Sequence, residues 1–366
     1  IIVTVIGGYD TPPAWLGGLV ILVSLCLAHV THTLVEDPLR QHRPRPRGND
    51  DPVAAARASL RTLPGVARAV GGVLAAALFT VALAVQPYWD KRVDSAEKAL
   101  DPVNYPGARA IQGAQVPDVK PQPDPSLIAG VFPPIGLDDC MIFLPEAPDA
   151  MPGPDCTYGD LEADTTIVLA GGSHIEPFIV PLDKLGKEHH FKVATFVRQE
   201  CPLVVGGPLN PANDIVSPEC AEWGENAMQE IINLQPDLLV STSTRPAGHA
   251  GDGRVSADYV PDAYANLWQR LAELGIPFVG LRDNPWMFTP SGEPMDPNLC
   301  VVAGHSEHAC SMAADMVYAP KDPAAYFLDG AYAQWEIDTA GWYCVDGLCP
   351  PQIGNVYIYR DQNHIS

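Results

Sequence analysis

The sequence predicts an α/β domain, a three-layer αβα sandwich around a parallel sheet, preceded by transmembrane helices. Three observations predict it. Short, nearly continuous apolar runs alternate with helix-length patterns beyond residue 135, two bilayer-length apolar segments precede residue 87, and the composition changes sharply at that point. Residues 1–86 carry seven arginines, no lysine and five acids, whereas residues 87–366 carry 15 basic and 39 acidic side chains. So acidic a domain repels phosphate backbones, which excludes nucleic acid as a partner and disfavours adsorption to an anionic lipid surface.

Residues 14–34 are apolar over about the length that spans a bilayer, interrupted by Ser24, His29, Thr31, His32 and Thr33. Residues 66–85, rich in Gly and Ala with Arg68 near the start, form the second expected span. Ile1–Ile6 has the character of the tail of an earlier span, so the chain is expected to begin within a larger membrane protein. The loop 36–64 between the spans holds Arg40, Arg43, Arg45, Arg47, Arg57 and Arg61. Clustered arginine in a short loop stays on the cytoplasmic side, which places the acidic remainder outside. The expected location is therefore a multi-pass protein of the cell membrane, partnered by the lipid bilayer, with its C-terminal domain extracytoplasmic. Two buried helices of a soluble protein would explain neither the arginine-rich connector nor the break in composition.

Cysteine usage points the same way by an independent route. Cys26 sits alone in an apolar run, and the other eight (Cys140, Cys156, Cys201, Cys220, Cys300, Cys310, Cys344 and Cys349) all follow residue 87. An even set confined to one side of a membrane segment reads as disulfides in an oxidising space. Pairing neighbours in sequence is the simplest scheme, with other connectivities open. Zinc is the rival reading, but no C-x-x-C pair with a matching second pair is present.

Residues 87–134 are rich in Pro, Asp and Gly without sustained periodicity, as expected of an extracytoplasmic linker and irregular cover. Within 135–366, expected strands are Thr165–Ala170, Lys192–Val197, Asp237–Thr242, Pro277–Leu281 and Asn355–Tyr359. Expected helices are Pro177–His189, Glu222–Leu234, Pro261–Leu274 and Pro323–Trp335. Strands apolar on both faces and alternating with helices build a parallel sheet covered on both sides, with its chemistry at the carboxyl ends of the strands.

Two such ends carry reactive residue types. The first strand runs into Gly171-Gly172-Ser173-His174, where glycines permit a tight turn that presents the Ser173 hydroxyl at a helix start. The last runs into Asp361-Gln362-Asn363-His364. Serine is a weak nucleophile until an imidazole takes its proton, and that imidazole needs a carboxylate to hold its tautomer. Ser173, His364 and Asp361 are the expected catalytic set. Each pattern alone occurs often by chance, and the bland alternative is a capping serine with a solvated histidine on a surface turn.

These residues resemble the SGNH (GDSL-like) hydrolase fold, a flavodoxin-like sheet whose first block is G-D-S and whose last is D-x-x-H. The whole chain is more closely similar to the C-terminal part of acyltransferase-three membrane proteins fused to an SGNH-like domain, of actinobacterial type. The stretches that carry the resemblance are Val35–Arg40, Gly171–His174, Glu200–Leu203, Leu281–Pro285 and Tyr359–His364. It implies a membrane core that delivers an acyl donor and an outer domain that places the acyl group on an envelope glycan. Ser173 is then the nucleophile, His364 the base and Asp361 its orienter. A plain carbohydrate esterase and an inactive glycan-binding module are the alternatives. His29 and His32 do not match the family's membrane histidine, which lies upstream. Three departures stand out. Gly172 replaces the usual Asp, no oxyanion-hole Gly or Asn can be assigned, and the chain ends before the fold's closing helix, so a longer natural protein is expected.

Gly172 and Thr242 are candidates for the oxyanion site, with Gly206 and Arg245 also considered for it, and Arg245 is the candidate for holding a carboxylate on the substrate. His305, Glu307 and His308 have metal-permissive spacing but no further ligand in view, so a solvated loop is expected. His189 and His190 end a helix, where a structural role is expected. Neither metal nor cofactor is expected.

Overall fold

The computed structural model describes residues 100–365, apart from 145, 207–216 and 247–256, and isolated helical positions between 21 and 91. Residues 1–95 and 96–366 form separate compact units. Both expected spans and the loop 36–64 lie outside the described residues save for those isolated positions. Among the described residues no helix is long and apolar enough to cross a membrane.

The second unit is built on a seven-stranded sheet. Its strands are β1 (Met141–Ile142), β2 (Thr157–Gly159), β3 (Thr166–Gly171), β4 (Lys192–Arg198), β5 (Leu238–Thr242), β6 (Phe278–Leu281) and β8 (Gln334–Ile337), and a separate β7 (Met312–Ala313) intervenes in sequence. The order is β1-β4-β3-β5-β6-β8, all parallel, with β2 antiparallel against β4. Thr166 pairs with Lys192 and Gly171 with Val197, so β3 and β4 finish level and Ser173 emerges at the carboxyl edge.

Alternation along the strands feeds two cores. Val168, Ala170, Leu239 and Phe278 face one side and pack on α3 (Pro218–Leu234) and α4 (Asp262–Leu274) through Trp223, Met228, Ile231, Leu267 and Leu271. Leu169, Val193, Val197 and Val240 face the other, packed with Ile175 of the turn after Ser173 and Ile179 of α2 (Ile179–His189). A short α1 (Pro134–Leu137) adds Ile135 to that layer. Each fully buried side chain of this kind contributes about 1.5–3 kcal/mol. Helix α3 starts at Ser217, whose hydroxyl accepts from Cys220 N–H, with Pro218 at the first helical position. At Gly224 any Cβ would collide with the Val204 carbonyl, so this close approach requires glycine.

The sequence-based elements survive up to β6 with ends shifted by a few residues, and fail after it. The expected helix Pro323–Trp335 is two short 3-10 turns, Pro323–Tyr326 and Ala331–Ala333, followed by edge strand β8. Positive φ at Gly330, Tyr332 and Ala333 stops the helix. The Gln334 amide donates to Trp268 O and anchors the new strand. The expected final sheet strand Asn355–Tyr359 forms only β10 (Val356–Tyr357), paired with β9 (Gln352–Ile353) outside the main sheet. The segment read as a linker is irregular but bound to this ladder. Asn355 Nδ2 donates to Asn104 O and Pro117 O, and Gln122 bridges to Val356.

All eight outer cysteines are joined as sequence neighbours: Cys140–Cys156, Cys201–Cys220, Cys300–Cys310 and Cys344–Cys349. Opening a loop of about 15–20 residues costs about 3 kcal/mol. Replacing Cys201 and Cys220 together by alanine should therefore lower unfolding stability by about that amount in a urea titration. Replacing Cys344 and Cys349, five apart, should cost clearly less. Equal losses for the two pairs would contradict this account.

Candidate active site

Strand β3 ends at Gly171 with φ 145°, a conformation L side chains rarely adopt, and a Cβ there would press on Ser241 Oγ at 3.2 Å. At Gly172 a Cβ would lie 3.4 Å from the Cys201 carbonyl. An aspartate in the family position would have to extend over the Cys201–Pro202 peptide. The turn delivers Ser173 Oγ to within 2.7 Å of His364 Nε2. On the far side of the ring, Nδ1 lies 2.8 and 3.0 Å from the two Asp361 oxygens. Asp361 Oδ1 also accepts the backbone N–H groups of Asn363 and His364, so the carboxylate is fixed by its own turn.

This turn stands on no strand of the main sheet. It is pinned by Asn284 Nδ2 donating to Asn363 O at 2.8 Å, Met287 N–H to Gln362 O at 2.7 Å, and Asn298 Nδ2 to Tyr359 O at 2.6 Å. Beneath it, Tyr359 and Ile365 pack into a third core with Trp286, Met287, Phe288 and Tyr318. Arg360 lies 3.5 Å from the Glu176 carboxylate, with its guanidinium 4.4 Å above the Phe132 ring. Because Glu176 follows Ser173 by three residues, this buried ion pair joins the nucleophile's turn to the histidine's turn.

Burial and pairing compete at Asp361, His364 and Glu176. Burial raises the Asp361 carboxyl, but hydrogen bonds from the His364 ring and the Asn363 amide outweigh it and bring it to about 2. Burial pushes the His364 imidazole below its usual range, opposed by Asp361 and reinforced by neighbouring His174 and Arg360. Burial raises Glu176 to about 7 against the pull of Arg360.

Next to this relay stands a second histidine–carboxylate pair that the sequence reading missed. His174 Nδ1 lies 2.8 Å from Asp283 Oδ1, which also accepts Asn284 N–H. Trp286 Nε1 donates to Asp283 Oδ2 at 3.1 Å. The His174 ring meets His364 edge-on, with centroids 5.0 Å apart. The adjacency of His174 to Ser173 and the Leu281–Pro285 stretch were visible in sequence, but nothing local joins them.

Ser173, Asp361 and His364 open into a cavity of about 430 Å³ also lined by Gly172, His174, Glu200, Thr242, Arg245, Asp283 and Trp286. Of the further candidates, Gly172, Thr242 and Arg245 therefore reach the same cavity. Thr242 is buried and hydrogen-bonded to Tyr264, and Arg245 lies 5.8 Å over the Trp286 ring. Gly206 does not. It lies in a separate cleft and donates to Glu225. His305 and His308 are exposed, and among the described residues no group of three or more His, Cys, Asp or Glu could hold a metal. His190 closes α2 with φ 59° and bonds Asp160 at 2.8 Å, while His189 is exposed.

A sequence model of the SGNH domain, described as fused to AT3 domains, matches residues 140–366. The chain belongs to this family. Among solved structures it is similar to the periplasmic domain of a lipopolysaccharide acetyltransferase from Salmonella ser. Paratyphi A. The identity is 12%, with 57% of this chain and 80% of that chain covered and a TM-score of 0.34. No curated protein matches the chain.

The Glu176 environment gives a pH signature. A carboxyl raised on folding stabilises fully below its unfolded value, and that contribution is lost as pH rises through the folded one. Wild-type stability should therefore fall between about pH 4.5 and 7 relative to Glu176→Gln. His364, lowered on folding, acts in the opposite sense but is common to both proteins and cancels in the difference. Thermal midpoints measured across this range check it, and parallel curves would sink it.

Proposed function

We propose that this chain is a membrane-anchored O-acyltransferase that modifies a cell-envelope glycan through an acyl-enzyme on Ser173. The observation that carries the reading is the continuous relay from Ser173 Oγ to His364 Nε2 and from His364 Nδ1 to Asp361, opening into a cavity. Ser173 Oγ attacks the acyl carbonyl while its proton passes to His364 Nε2, and His364 then protonates the leaving group. In the second half an acceptor hydroxyl attacks the Ser173 ester and gives its proton to His364. The bond between the acyl carbon and Oγ breaks, and Oγ recovers the proton from His364. Asp361 keeps the imidazole in the required tautomer and stabilises its charged form.

Gly172, Thr242 and Arg245 are assigned here to the charged face of the intermediate and to substrate contact, since all three line the cavity. Membrane anchoring rests on the apolar segments and the arginine-rich loop, and the outer location on those and the four disulfides. The acyl donor is taken to arrive through the membrane core. No cofactor is needed for these steps.

Labelling with a fluorophosphonate probe should be confined to Ser173 and vanish in Ser173→Ala. Asp361→Asn should keep the fold and lower turnover of p-nitrophenyl acetate by about 10²–10⁴-fold. The acidic limb of the rate profile should have its midpoint below the ordinary imidazole value of about 6.5, because burial lowers His364. Full activity in Asp361→Asn, or labelling that survives Ser173→Ala, would remove the relay from the mechanism. Release of the acyl group only to water, whatever hydroxyl acceptor is added, would make the enzyme an esterase.

A further inference from the structure

The relay uses one of two imidazoles in the cavity and leaves the other unexplained. His174 is held as firmly as His364. Its Nδ1 meets Asp283, whose carboxylate is fixed in turn by the Asn284 amide and the Trp286 indole, while Asp283 N–H donates to Thr244 Oγ1. Tyr318 Oη donates to the Asp283 carbonyl at 2.8 Å. A histidine that only fills space does not need a buried carboxylate with this many donors, whereas one that must present a single nitrogen does. With Nδ1–H donating to Asp283, the Nε2 lone pair of the ring is an acceptor. Among the described residues no hydrogen bond reaches it.

We propose that His174, positioned by Asp283, is the acceptor-binding residue of this site, taking a hydrogen bond from a second hydroxyl of the acyl acceptor. The proposal rests on the acyl-enzyme reading above and narrows its substrate class to a neutral acceptor with neighbouring hydroxyls. The attacking hydroxyl must reach His364 Nε2, which takes its proton. Rings 5.0 Å apart allow an adjacent hydroxyl of the same molecule to reach His174 through a hydrogen bond of about 2.8 Å. No bond to His174 is made or broken, and it moves no proton. Charge supports a neutral acceptor. The described cavity wall carries the carboxylates of Glu200, Asp283 and Asp361 against the single guanidinium of Arg245.

The test compares two acceptors for the acyl group of p-nitrophenyl acetate on the full chain: methyl α-D-glucopyranoside, with neighbouring hydroxyls, and ethanol, with one. Wild-type enzyme should favour the glycoside. His174→Phe should lower the glycoside-to-ethanol transfer ratio about tenfold, chiefly through the glycoside KM, and His174→Gln, whose amide oxygen can accept the same bond, should restore part of it. Asp283→Asn, which frees the ring without removing it, should also lower the ratio. A merely structural His174 would reduce both transfers alike, and an unchanged ratio in His174→Phe and Asp283→Asn overturns the proposal. So does a wild-type enzyme with no preference for the glycoside. Fluorophosphonate labelling of Ser173 separates the two failures. Labelled wild-type protein with an unchanged ratio sinks only the role of His174, whereas unlabelled wild-type protein sinks the acyl-enzyme and this proposal with it.

Discussion

The pinning of Tyr359–Ile365 beneath the end of β3 is the constraint on which the site depends. His364 belongs to no strand of the main sheet, so its position is not inherited from sheet geometry. It follows from three backbone carbonyls in this segment accepting from Asn284, Met287 and Asn298, and from the buried Arg360–Glu176 pair. These contacts reach across the chain to the loop after β6, to the short helix Pro297–Val302 and to the turn after Ser173. Removing one partner of a buried pair leaves the other charge uncompensated, which costs far more than the pair contributes when intact. The site is therefore held by polar contacts that are expensive to break singly.

The same burial that secures this geometry sets the electrostatics. Asp361 remains a strong acceptor because its turn supplies donors, while His364 is biased towards the neutral ring that can take a proton. Glu176, 3.5 Å from the Arg360 guanidinium and enclosed with fewer donors, is pushed upward by burial. Two carboxylates in one small region thus respond in opposite senses, and the difference lies in the number of hydrogen bonds each receives.

The disulfide Cys201–Cys220 links this chemistry to the scaffold. It ties the loop after β4 to the first turn of α3, and that loop lies against Gly172 beside the nucleophile. The departure of Gly172 from the family's aspartate is matched by the peptide packed at that position. The second histidine pair stands next to the relay, supported by the loop after β6.

Much of this was legible in the sequence. Periodicity and turn chemistry placed β3 to β6 and the helices between them, because near-neighbour residues determine those elements. Glycines at 171 and 172 marked the sharp turn at Ser173, and cysteine spacing anticipated all four bridges. Ser173, Asp361 and His364 were recognisable as residue types at chain positions suited to a relay. Their meeting was decided only by tertiary structure, since 191 residues separate Ser173 from His364 and no local pattern encodes that distance. Tertiary context also turned the expected helix Pro323–Trp335 into an edge strand, through the Gln334 bond to Trp268 O, and kept Asn355–Tyr359 out of the main sheet. The His174–Asp283 pair escaped sequence reading for the same reason. Hydrogen bonds between distant segments depend on packing that forms only when the sheet and its two cores assemble.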